Sequence, residues 1–288
     1  MVQLFNPNSS LSIYVENFLA MSFHFEQEVQ QLVSARGVPM LVFPFGSPPK
    51  TSLMHGFTGH AYPHETIWEP ALLGVNNEFT ICKFSGSVRF LMVMLKPTGA
   101  YHFLRGGVRD LTNGVATLEE LQVSKYFNEL QGKLWGISQA SDATKLVEVY
   151  LHRYFESKKR ESPGDFSPVI AYMMRHPAKL TVHSLSKKFK CTERWIEKQC
   201  ALQTGISPKS WLRIIRHRAA ANYWLNKPDA SWMEIVARFD YTDQSHLIRD
   251  FKQFSGNPPA QHFSMYEAAE IGLQQHKVGL SSLIGTDG

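Results

Sequence analysis

The sequence predicts an α+β protein in which a β-rich domain precedes an all-α domain with two helix–turn–helix motifs joined by a long helix. Two observations predict this division. Up to about Leu121, Gly and Pro separate short runs of β-branched and aromatic residues, as in an antiparallel sheet, sandwich or barrel. From Ser167 onward, apolar residues recur at helical spacing. The predicted boundaries are 1–155 for a sensing or oligomerisation domain, 156–165 for a linker, 166–263 for the helical domain and 264–288 for a tail.

The first domain is predicted to contain short strands and one closing helix. Runs at 40–43, 79–84 and 88–95 have the composition of strands. A polar, turn-rich segment at 156–164 then indicates the linker. The helix is predicted over 142–155, and its inward face is expected to consist of Leu146, Val149, Tyr150 and Tyr154.

The second domain contains a duplicated unit. A repeat with this regularity is a duplicated supersecondary element rather than a chance match. The offset between the two copies grows by one residue along the unit, so we expect the second copy to have gained one residue inside its second helix. The matching positions are Leu185/Ile235, Phe189/Phe239 and Thr192/Thr242, with an offset of 50, and Gly205/Gly256 and Pro208/Pro259, with an offset of 51.

Residues able to cap helices indicate where the helices of the second domain begin. Ser167 and Ser207 each precede Pro, which suits an N-cap followed by a first-turn residue. The run Ser231-Trp-Met-Glu234 has the spacing of a capping box. Thr192 and Thr242 stand where the second helix of each unit is expected to begin.

The charge is unevenly distributed along the chain. The 288 residues have a formal net charge of +5. Residues 1–156 have a net charge of −2, residues 157–263 a net charge of +9 and residues 264–288 a net charge of −2. A basic block confined to the repeats indicates a polyanionic partner. Because two helix–turn–helix units lie in that block, the expected partner is double-stranded DNA.

The second helix of each unit is the one expected to enter the major groove. Ile196 and Cys200 should face the core in the first unit, and Leu247, Phe251 and Phe254 in the second. Bases are expected to be read by Arg194, Glu197 and Lys198 in the first unit and by Gln244, Ser245, His246 and Arg249 in the second, since these side chains suit base edges. Phosphate contacts are expected from Lys187, Lys188, Lys190 and Lys209.

Residues 167–263 resemble the DNA-binding domain of the AraC/XylS family of bacterial transcription regulators. The family pattern I-A, G-F, S-x-F-x-R-x-F-K and G-x-x-P stands here as Ile235-Val, Asp240-Tyr241, Ser245-His-Leu-Ile-Arg-Asp-Phe-Lys252 and Gly256-Asn-Pro-Pro259. The resemblance covers about a third of the chain. It implies a seven-helix domain, base contacts from the seven residues named above, and a transcription regulator that is more commonly an activator, with RNA polymerase as a partner.

Three positions depart from the family pattern. Cys200 and Leu247 each stand where Phe is usual, and Asp240 stands where the turn usually has Gly. Asp tolerates the left-handed conformation less freely than Gly. The DNA-facing groups are intact, although Glu197 replaces a more usual neutral or basic contact. The smaller Cys200 leaves less core volume beneath the second helix of the first unit, so the rigidity of that unit is the property in question.

The first domain resembles, more weakly, an N-terminal domain found on one branch of AraC-type regulators. The resemblance rests on the run from Val88-Arg-Phe through Lys96-Pro-Thr-Gly-Ala, on the acidic and apolar segment 110–121 and on Leu11-Ser-Ile-Tyr-Val-Glu. It names no ligand. The partner of this domain is therefore left open between a small-molecule effector and a second copy of the chain in a homodimer. The alternative is an oligomerisation module that binds no ligand.

A metal site in the first domain is a further hypothesis. His55, His60 and His64 lie within ten residues, and Glu65 could supply a fourth ligand. Their spacing matches no ligand motif, so loop or pocket histidines are expected and no cofactor is predicted. Nearby aromatic residues are expected to form core rather than line a ligand pocket, namely Phe43, Phe45, Phe57, Tyr62 and Trp68.

An enzyme is the competing class of protein. No nucleophile–base pair or carboxylate pair stands out, so catalysis is not expected, and an enzyme-like metal- or ligand-binding first domain is the alternative. Three cysteines without metal spacing indicate a reducing compartment. The first residues lack a signal-peptide pattern, and the apolar run 90–95 is too short to span a bilayer. We therefore expect a cytoplasmic protein with no membrane partner.

Overall fold

The computed structural model describes residues 1–46, 54–57, 60–61, 69–104, 106–158 and 165–262. Several expectations lie outside these residues. They concern the tail 264–288, most of the linker, the aromatic residues Tyr62 and Trp68, and His64 and Glu65 of the hypothetical metal site. For His55, Phe57 and His60 the structure describes only the backbone.

The first domain is built on an antiparallel sheet of eight strands among the described residues. The strand order is β1-β2-β7-β3-β6-β8, and β4 pairs with β7 and with β5. The strands are β1 Val2–Phe5, β2 Val15–Val33, β3 Met40–Pro44, β4 Met54–Phe57, β5 His60–Ala61, β6 Ala71–Leu73, β7 Thr80–Leu95 and β8 Val115–Thr117.

The two long strands β2 and β7 form the centre of this sheet. They pair from Val15 opposite Leu95 to Val33 opposite Thr80, with an irregularity between Phe25 and Val29. The predicted strands at 79–84 and 88–95 are therefore one strand. The Gly and Ser residues between them do not end it, because Gly86 still pairs with Phe25 across the ladder.

Helices cover one side of the sheet and continue into the second domain. The helix α3 packs on β1, β2, β7 and α2, and α7 connects the two repeated units. The helices are α1 Gly99–Leu104, α2 Leu130–Trp135, α3 Ala140–Ser157, α4 Ser167–Arg175, α5 Val182–Phe189, α6 Glu193–Thr204, α7 Pro208–Asn226, α8 Trp232–Arg238 and α9 Gln244–Ser255. None of these helices has the length and apolar character that crossing a membrane would require.

The predicted inward face of α3 is only partly right. Tyr154 is buried, but Val149 is 45% exposed, and Leu146 and Tyr150 are half-buried. The sequence of this helix contains two overlapping apolar stripes. Contacts with distant residues bury the stripe that was not predicted. Tyr154 donates a hydrogen bond to the Phe103 carbonyl (2.6 Å), and Phe155 stacks on Tyr14 with ring centroids 4.1 Å apart. The stripe selected in this way consists of Ala143, Val147, Leu151, Tyr154 and Phe155.

Thr192, Ser207 and Ser231 cap their helices as predicted, but the predictions for Ser167, for Thr242 and for the capping box at Ser231 need correction. The side chains of Ser207 and Ser231 accept N–H groups of the following helix turn, as predicted. Ser167 is not a cap, because it lies inside α4 and its N–H donates to Asp165 Oδ1 (2.9 Å). The capping box at Ser231 is half formed, because the Glu234 carboxylate binds Lys227 and Tyr223 instead.

The extra residue of the second unit lies in the turn and not inside the helix as predicted. The N–H of Cys191 donates to Ser186 and that of Tyr241 donates to Val236, so these two turns still match at the smaller offset. The caps that follow are Thr192 and Asp243, which match at the larger offset, so Thr242 is the added residue and not the cap. An insertion inside a helix would rotate every later side chain by about 100°. The turn accepts the residue without disturbing the apolar face.

The two domains are in contact through the ends of the repeated units. Loops of the first domain at 34–37, 76–79 and 108–112 approach α6, α7 and α9. Ala35 and Val75 are buried in the same apolar cluster as Trp211 and Phe254 of the second domain. The hydrogen bonds that join the domains include Ala35 to Phe254 (2.7 Å), Phe79 to Gln253 (3.2 Å), Thr112 to Gly205 (3.1 Å) and Arg218 to Arg36 (3.0 Å).

The closest backbone approach in the first domain gives a stability prediction. A Cβ atom on Gly74 would lie 1.7 Å from the carbonyl oxygen of Leu111. Gly74→Ala should therefore lower the free energy of unfolding by about 3 kcal/mol or more, since the backbone has to shift. Thermal unfolding of the full chain measures this effect. The matched control is Gly132→Ala, because a Cβ atom added there would have no atom within 4 Å outside the neighbouring backbone. This variant should raise the free energy of unfolding by about 0.5–1 kcal/mol, since Ala favours the helical conformation of α2 more than Gly does. Equal effects of the two variants would contradict the packing described here.

The buried histidine of α7 gives a pH prediction. His217 is 1% exposed, its Nε2 lies 2.9 Å from Ser255 Oγ, and burial lowers its pKa to about 3. The folded state thus keeps the imidazole neutral, while the unfolded chain takes up a proton near its ordinary pKa of about 6.5. Stability should be fully present above pH 6.5 and should fall as the pH drops towards 3.

The variant His217→Leu tests this assignment. Between pH 6 and 4 the unfolding free energy of the variant should fall less steeply than that of the wild type, by about 1 kcal/mol per pH unit. Chemical denaturation at several pH values provides the measurement. Parallel slopes for the two proteins would show that His217 does not supply the pH dependence.

Candidate nucleic-acid interface

The helices α6 and α9 are built to the same plan. Each has 12 residues and begins after a side chain that accepts the N–H of the third residue beyond it, Thr192 for α6 and Asp243 for α9. Each ends at a glycine in the left-handed conformation, Gly205 with φ 82° and Gly256 with φ 80°. The starts and the ends of the two helices thus match at the same offset, and each position of α6 has a counterpart in α9.

The side chains predicted to read bases lie mostly on exposed faces. Arg194, Glu197 and Lys198 of α6 are exposed, and so are Gln244, Ser245 and Arg249 of α9. When the two helices are aligned from cap to cap, Lys198 corresponds to Arg249, so each helix carries one cation at the same place. Glu197 corresponds to Ile248, an apolar residue outside the predicted base-reading set.

The opposite faces of both helices are buried as predicted. Ile196 and Cys200 of α6 are fully enclosed, as are Leu247 and Phe251 of α9. The Cys200 sulfur lies 3.6 Å from Thr204 Oγ1, and burial raises the pKa of the thiol to about 12. The thiol is therefore neutral and acts as a small apolar group in the core around Trp211.

His246 differs from the other six residues because it is only partly exposed. Its ring stands edge-on to Tyr241, with centroids 5.2 Å apart and an interplanar angle of 85°. Its Nε2 lies 3.9 Å from Asp250 Oδ2, and its backbone N–H donates to Asp243 Oδ1 (2.7 Å). The imidazole thus stands between the exposed face of α9 and the interior.

The turn before each of these helices uses the left-handed conformation. Asp240, where the family pattern has Gly, has φ 58°, and Lys190 at the same place in the first unit has φ 51°. Both turns therefore hold a side chain in a conformation that Gly adopts more easily. Because Lys190 lies in the turn, its side chain starts beside the N-terminus of α6.

The four lysines predicted to contact phosphate are all exposed. Lys187, Lys188 and Lys190 lie at the end of α5 and in the turn after it, and Lys209 lies in the first turn of α7. The ammonium of Lys188 lies 5.3 Å from the centroid of the Tyr172 ring. This cation–π contact holds the side chain of Lys188 against α4.

A cleft of about 520 Å³ lies where the first domain meets α6 and α7. Arg109 and Thr112 line it from the first domain, and Glu197, Ala201 and Lys209 line it from the second. Glu197, which is predicted to read a base, thus lies at the boundary between the two domains. Arg109 was not identified from the sequence, because nothing in its local sequence indicates contact with residues of the other domain.

Two of the aromatic residues that were predicted to form core lie in the core of the first domain. Phe43 and Phe45 are buried in the cluster that includes Leu91 and Phe103. Among the residues that the structure describes, no group of three His, Cys, Asp or Glu side chains is placed to hold a metal ion.

Each of the two domains matches a known family. Residues 185–265 match a helix-turn-helix domain family, and residues 3–117 match a domain of unknown function, DUF6597. A comparison with curated proteins gives no match.

The solved structures that resemble this chain include ToxT and an AraC-like activator. ToxT from Vibrio cholerae O395 is 11% identical, with 85% of this chain and 97% of ToxT covered and a TM-score of 0.44. Wild-type ToxT from Vibrio cholerae strain SCE256 with unsaturated fatty acid bound is 12% identical, with 85% and 94% covered and a TM-score of 0.45. The AraC-like transcriptional activator CuxR is 12% identical, with 82% and 91% covered and a TM-score of 0.27. Similarity at this level does not transfer a ligand or a mode of action.

The family match falls on the residues that the repeats had identified. It covers most of α5 and all of α6 to α9, and so includes the two helices whose capped starts and exposed faces are described above. The chain therefore carries a helix–turn–helix domain after a β-sheet domain, and it is a DNA-binding transcriptional regulator.

Proposed function

We propose that the chain reads DNA in two successive major-groove segments, one through α6 and one through α9. The observation that carries this proposal is the equivalence of the two helices. They have the same length, the same type of cap at each end and one exposed cation at the same position, Lys198 or Arg249. Folding does not require an exposed cation at matching positions of the two helices, whereas two units that both contact DNA would each use one.

The helix that joins the units supports this spacing. α7 has 19 residues, which at 1.5 Å per residue gives a length of about 28 Å. Packed helices at both of its ends add to the separation. Two recognition helices about 34 Å apart match major-groove openings one helical turn apart on one face of the duplex. Since the two units differ in sequence, the proposed site is not palindromic.

The proposed base contacts follow from the chemistry of each side chain. Arg194, Lys198 and Arg249 suit the O6 and N7 acceptors of guanine, and Gln244 suits adenine. Ser245 is permissive, Glu197 can accept from cytosine N4, and His246 can donate or accept. These seven residues are the proposed base-reading set, and none of them has a catalytic role in this proposal.

Non-specific affinity would come from the basic surface around the first unit. The lysines Lys187, Lys188, Lys190 and Lys209 are exposed, and the capped N-termini of α6 and α9 present backbone N–H groups. Both kinds of group bind phosphate oxygens without reading sequence. The net charge of +9 over residues 157–263 agrees with this role.

We further propose that a small-molecule effector acts through the first domain. The cleft between the domains supports this, because Arg109 and Lys209 line opposite sides of it. A molecule bound in the cleft would contact Glu197 and the first turn of α7. Activation through RNA polymerase and a homodimer are further proposals, which rest on the family resemblance. Since its DNA target lies there, we propose that the regulator acts in the cytoplasm.

A pair of variants separates base reading from phosphate binding. Arg249→Ala should cost about 1–3 kcal/mol on the preferred site and relax the preference at one base position, because a base-edge contact is lost. Lys188→Ala should weaken binding to all sequences about equally and reduce the salt dependence by about one phosphate contact. Titrations on the preferred site and on single-base variants of it, at two salt concentrations, measure both effects.

The exposed Lys145 of α3 provides a matched control, because its replacement removes one positive charge far from the repeats. Lys145→Ala should change neither affinity nor base preference. Arg249→Ala and Lys188→Ala behaving alike across the base variants would refute the assigned reading face.

A further inference from the structure

The second recognition helix contains a fully buried carboxylate. Asp250 of α9 has a side-chain exposure of 0%, although it directly follows the exposed Arg249. A buried charge is costly unless it is paired. The matching position of α6 is Gln199, an uncharged amide that accepts a hydrogen bond from Gln203 of the same helix (2.9 Å). The buried charge is therefore a feature that distinguishes the second unit from the first.

The partner of this carboxylate comes from the helix that joins the units. Arg213 of α7 donates to Asp250 Oδ1 through Nη2 (2.6 Å) and Nε (3.2 Å). The same guanidinium donates to Gln253 Oε1 (2.8 Å) and lies 5.1 Å from the centroid of the Phe254 ring. One side chain of α7 thus contacts three positions of α9 along one turn. Because the guanidinium is planar and rigid, these contacts fix the rotation of α9 as well as its distance from α7.

The other carboxylate oxygen of Asp250 faces the base-reading side. Asp250 Oδ2 is buried, makes no hydrogen bond with the residues that the structure describes and lies 3.9 Å from His246 Nε2. Tyr241 adjoins the same space. Burial, with a smaller contribution from Asp250, raises the pKa of the Tyr241 phenol, so this group stays neutral. A small rotation of His246 would bring its Nε2 within hydrogen-bonding distance of Asp250 Oδ2.

We propose that Asp250 is a positioning residue that sets how α9 faces the major groove, acting through Arg213 on the helix and through His246 on the reading surface. The proposal rests on the function proposed above, in which α9 reads bases. It assigns the base preference of the second DNA segment partly to an ion pair that does not touch DNA. Removing the charge should let α9 rotate relative to α7, and Arg249 and Gln244 would then lose their alignment with the base edges.

The test is selection from a library of duplexes with about 30 random base pairs, which is long enough for two segments one helical turn apart. The full chain is compared with Asp250→Asn and with Arg213→Lys. The lysine keeps the positive charge but cannot hold Asp250 and Gln253 together. Both variants should reduce the enrichment of the preferred bases about tenfold in one segment. This should be the same segment in which Arg249→Ala reduces the enrichment. The other segment, read by α6, should keep its preference.

The matched control is Glu234→Gln, which weakens a partly exposed ion pair with Lys227 in the same unit. It should leave both segments unchanged. Thermal unfolding of each variant shows whether the fold is retained, and Arg213→Lys decides the question where Asp250→Asn does not fold.

Two outcomes would overturn the inference. One is an unchanged preference in both segments for folded Asp250→Asn and Arg213→Lys. The other is an equal loss in both segments, which would indicate general destabilisation. A wild-type chain that enriches no sequence would instead overturn the proposed function itself.

Discussion

The arrangement of the proposed DNA-reading surface depends on how the last turns of α6 and α9 are held. Gly205 and Gly256 end α6 and α9 in the left-handed conformation, and both are packed against the first domain. A Cβ atom on Gly205 would lie 2.9 Å from the Val108 carbonyl oxygen, and one on Gly256 would lie 3.0 Å from the Phe79 ring. Only glycine satisfies both the backbone conformation and the close approach. The first domain therefore contacts both units at the ends that point away from the proposed DNA surface.

This contact gives the first domain a direct influence on the geometry of the two units. α7 fixes one side of each unit and the loops of the first domain fix the other, so a change in those loops would alter the relation between α6 and α9. The two units are not held alike. The α9 unit has the buried Arg213–Asp250 pair between α7 and α9, whereas the α6 unit has the neutral Gln199 at the matching position and borders the cleft. An effector in the cleft would therefore act first on α6.

Local patterns predicted the second domain well, because its signals are short-range. Caps, apolar spacing and the repeat identified α6 and α9 and their buried faces. The insertion was misplaced because a sequence offset does not distinguish a turn from a helix, whereas hydrogen bonds from Cys191 and Tyr241 do. The buried face of α3 was predicted only in part, because contacts of Tyr154 and Phe155 with distant residues determine which face is buried.

Two side chains with roles proposed above could not be assigned from the sequence. Arg109 borders the cleft only once the two domains are docked, so its role depends on contacts that no local pattern encodes. The spacing of Leu247, Phe251 and Phe254 puts position 250 on the buried face of α9, but no local pattern names the partner of a carboxylate at that position. Only the contact with Arg213 of α7 shows that Asp250 is paired. Both residues depend on tertiary contacts, which hydrophobic periodicity and capping signals do not report.

The central claim is that one chain reads two segments of DNA on one face of the duplex. The measurement that tests it most directly is the affinity of the full chain for its selected site, with and without about 5 bp inserted between the two segments, which turns the more distant segment to the opposite face. The account predicts that the insertion removes one of the two contacts and lowers affinity at least tenfold, because α7 and the first domain hold α6 and α9 at a fixed separation. Unchanged affinity after the insertion would contradict it and would show that a single unit reads DNA.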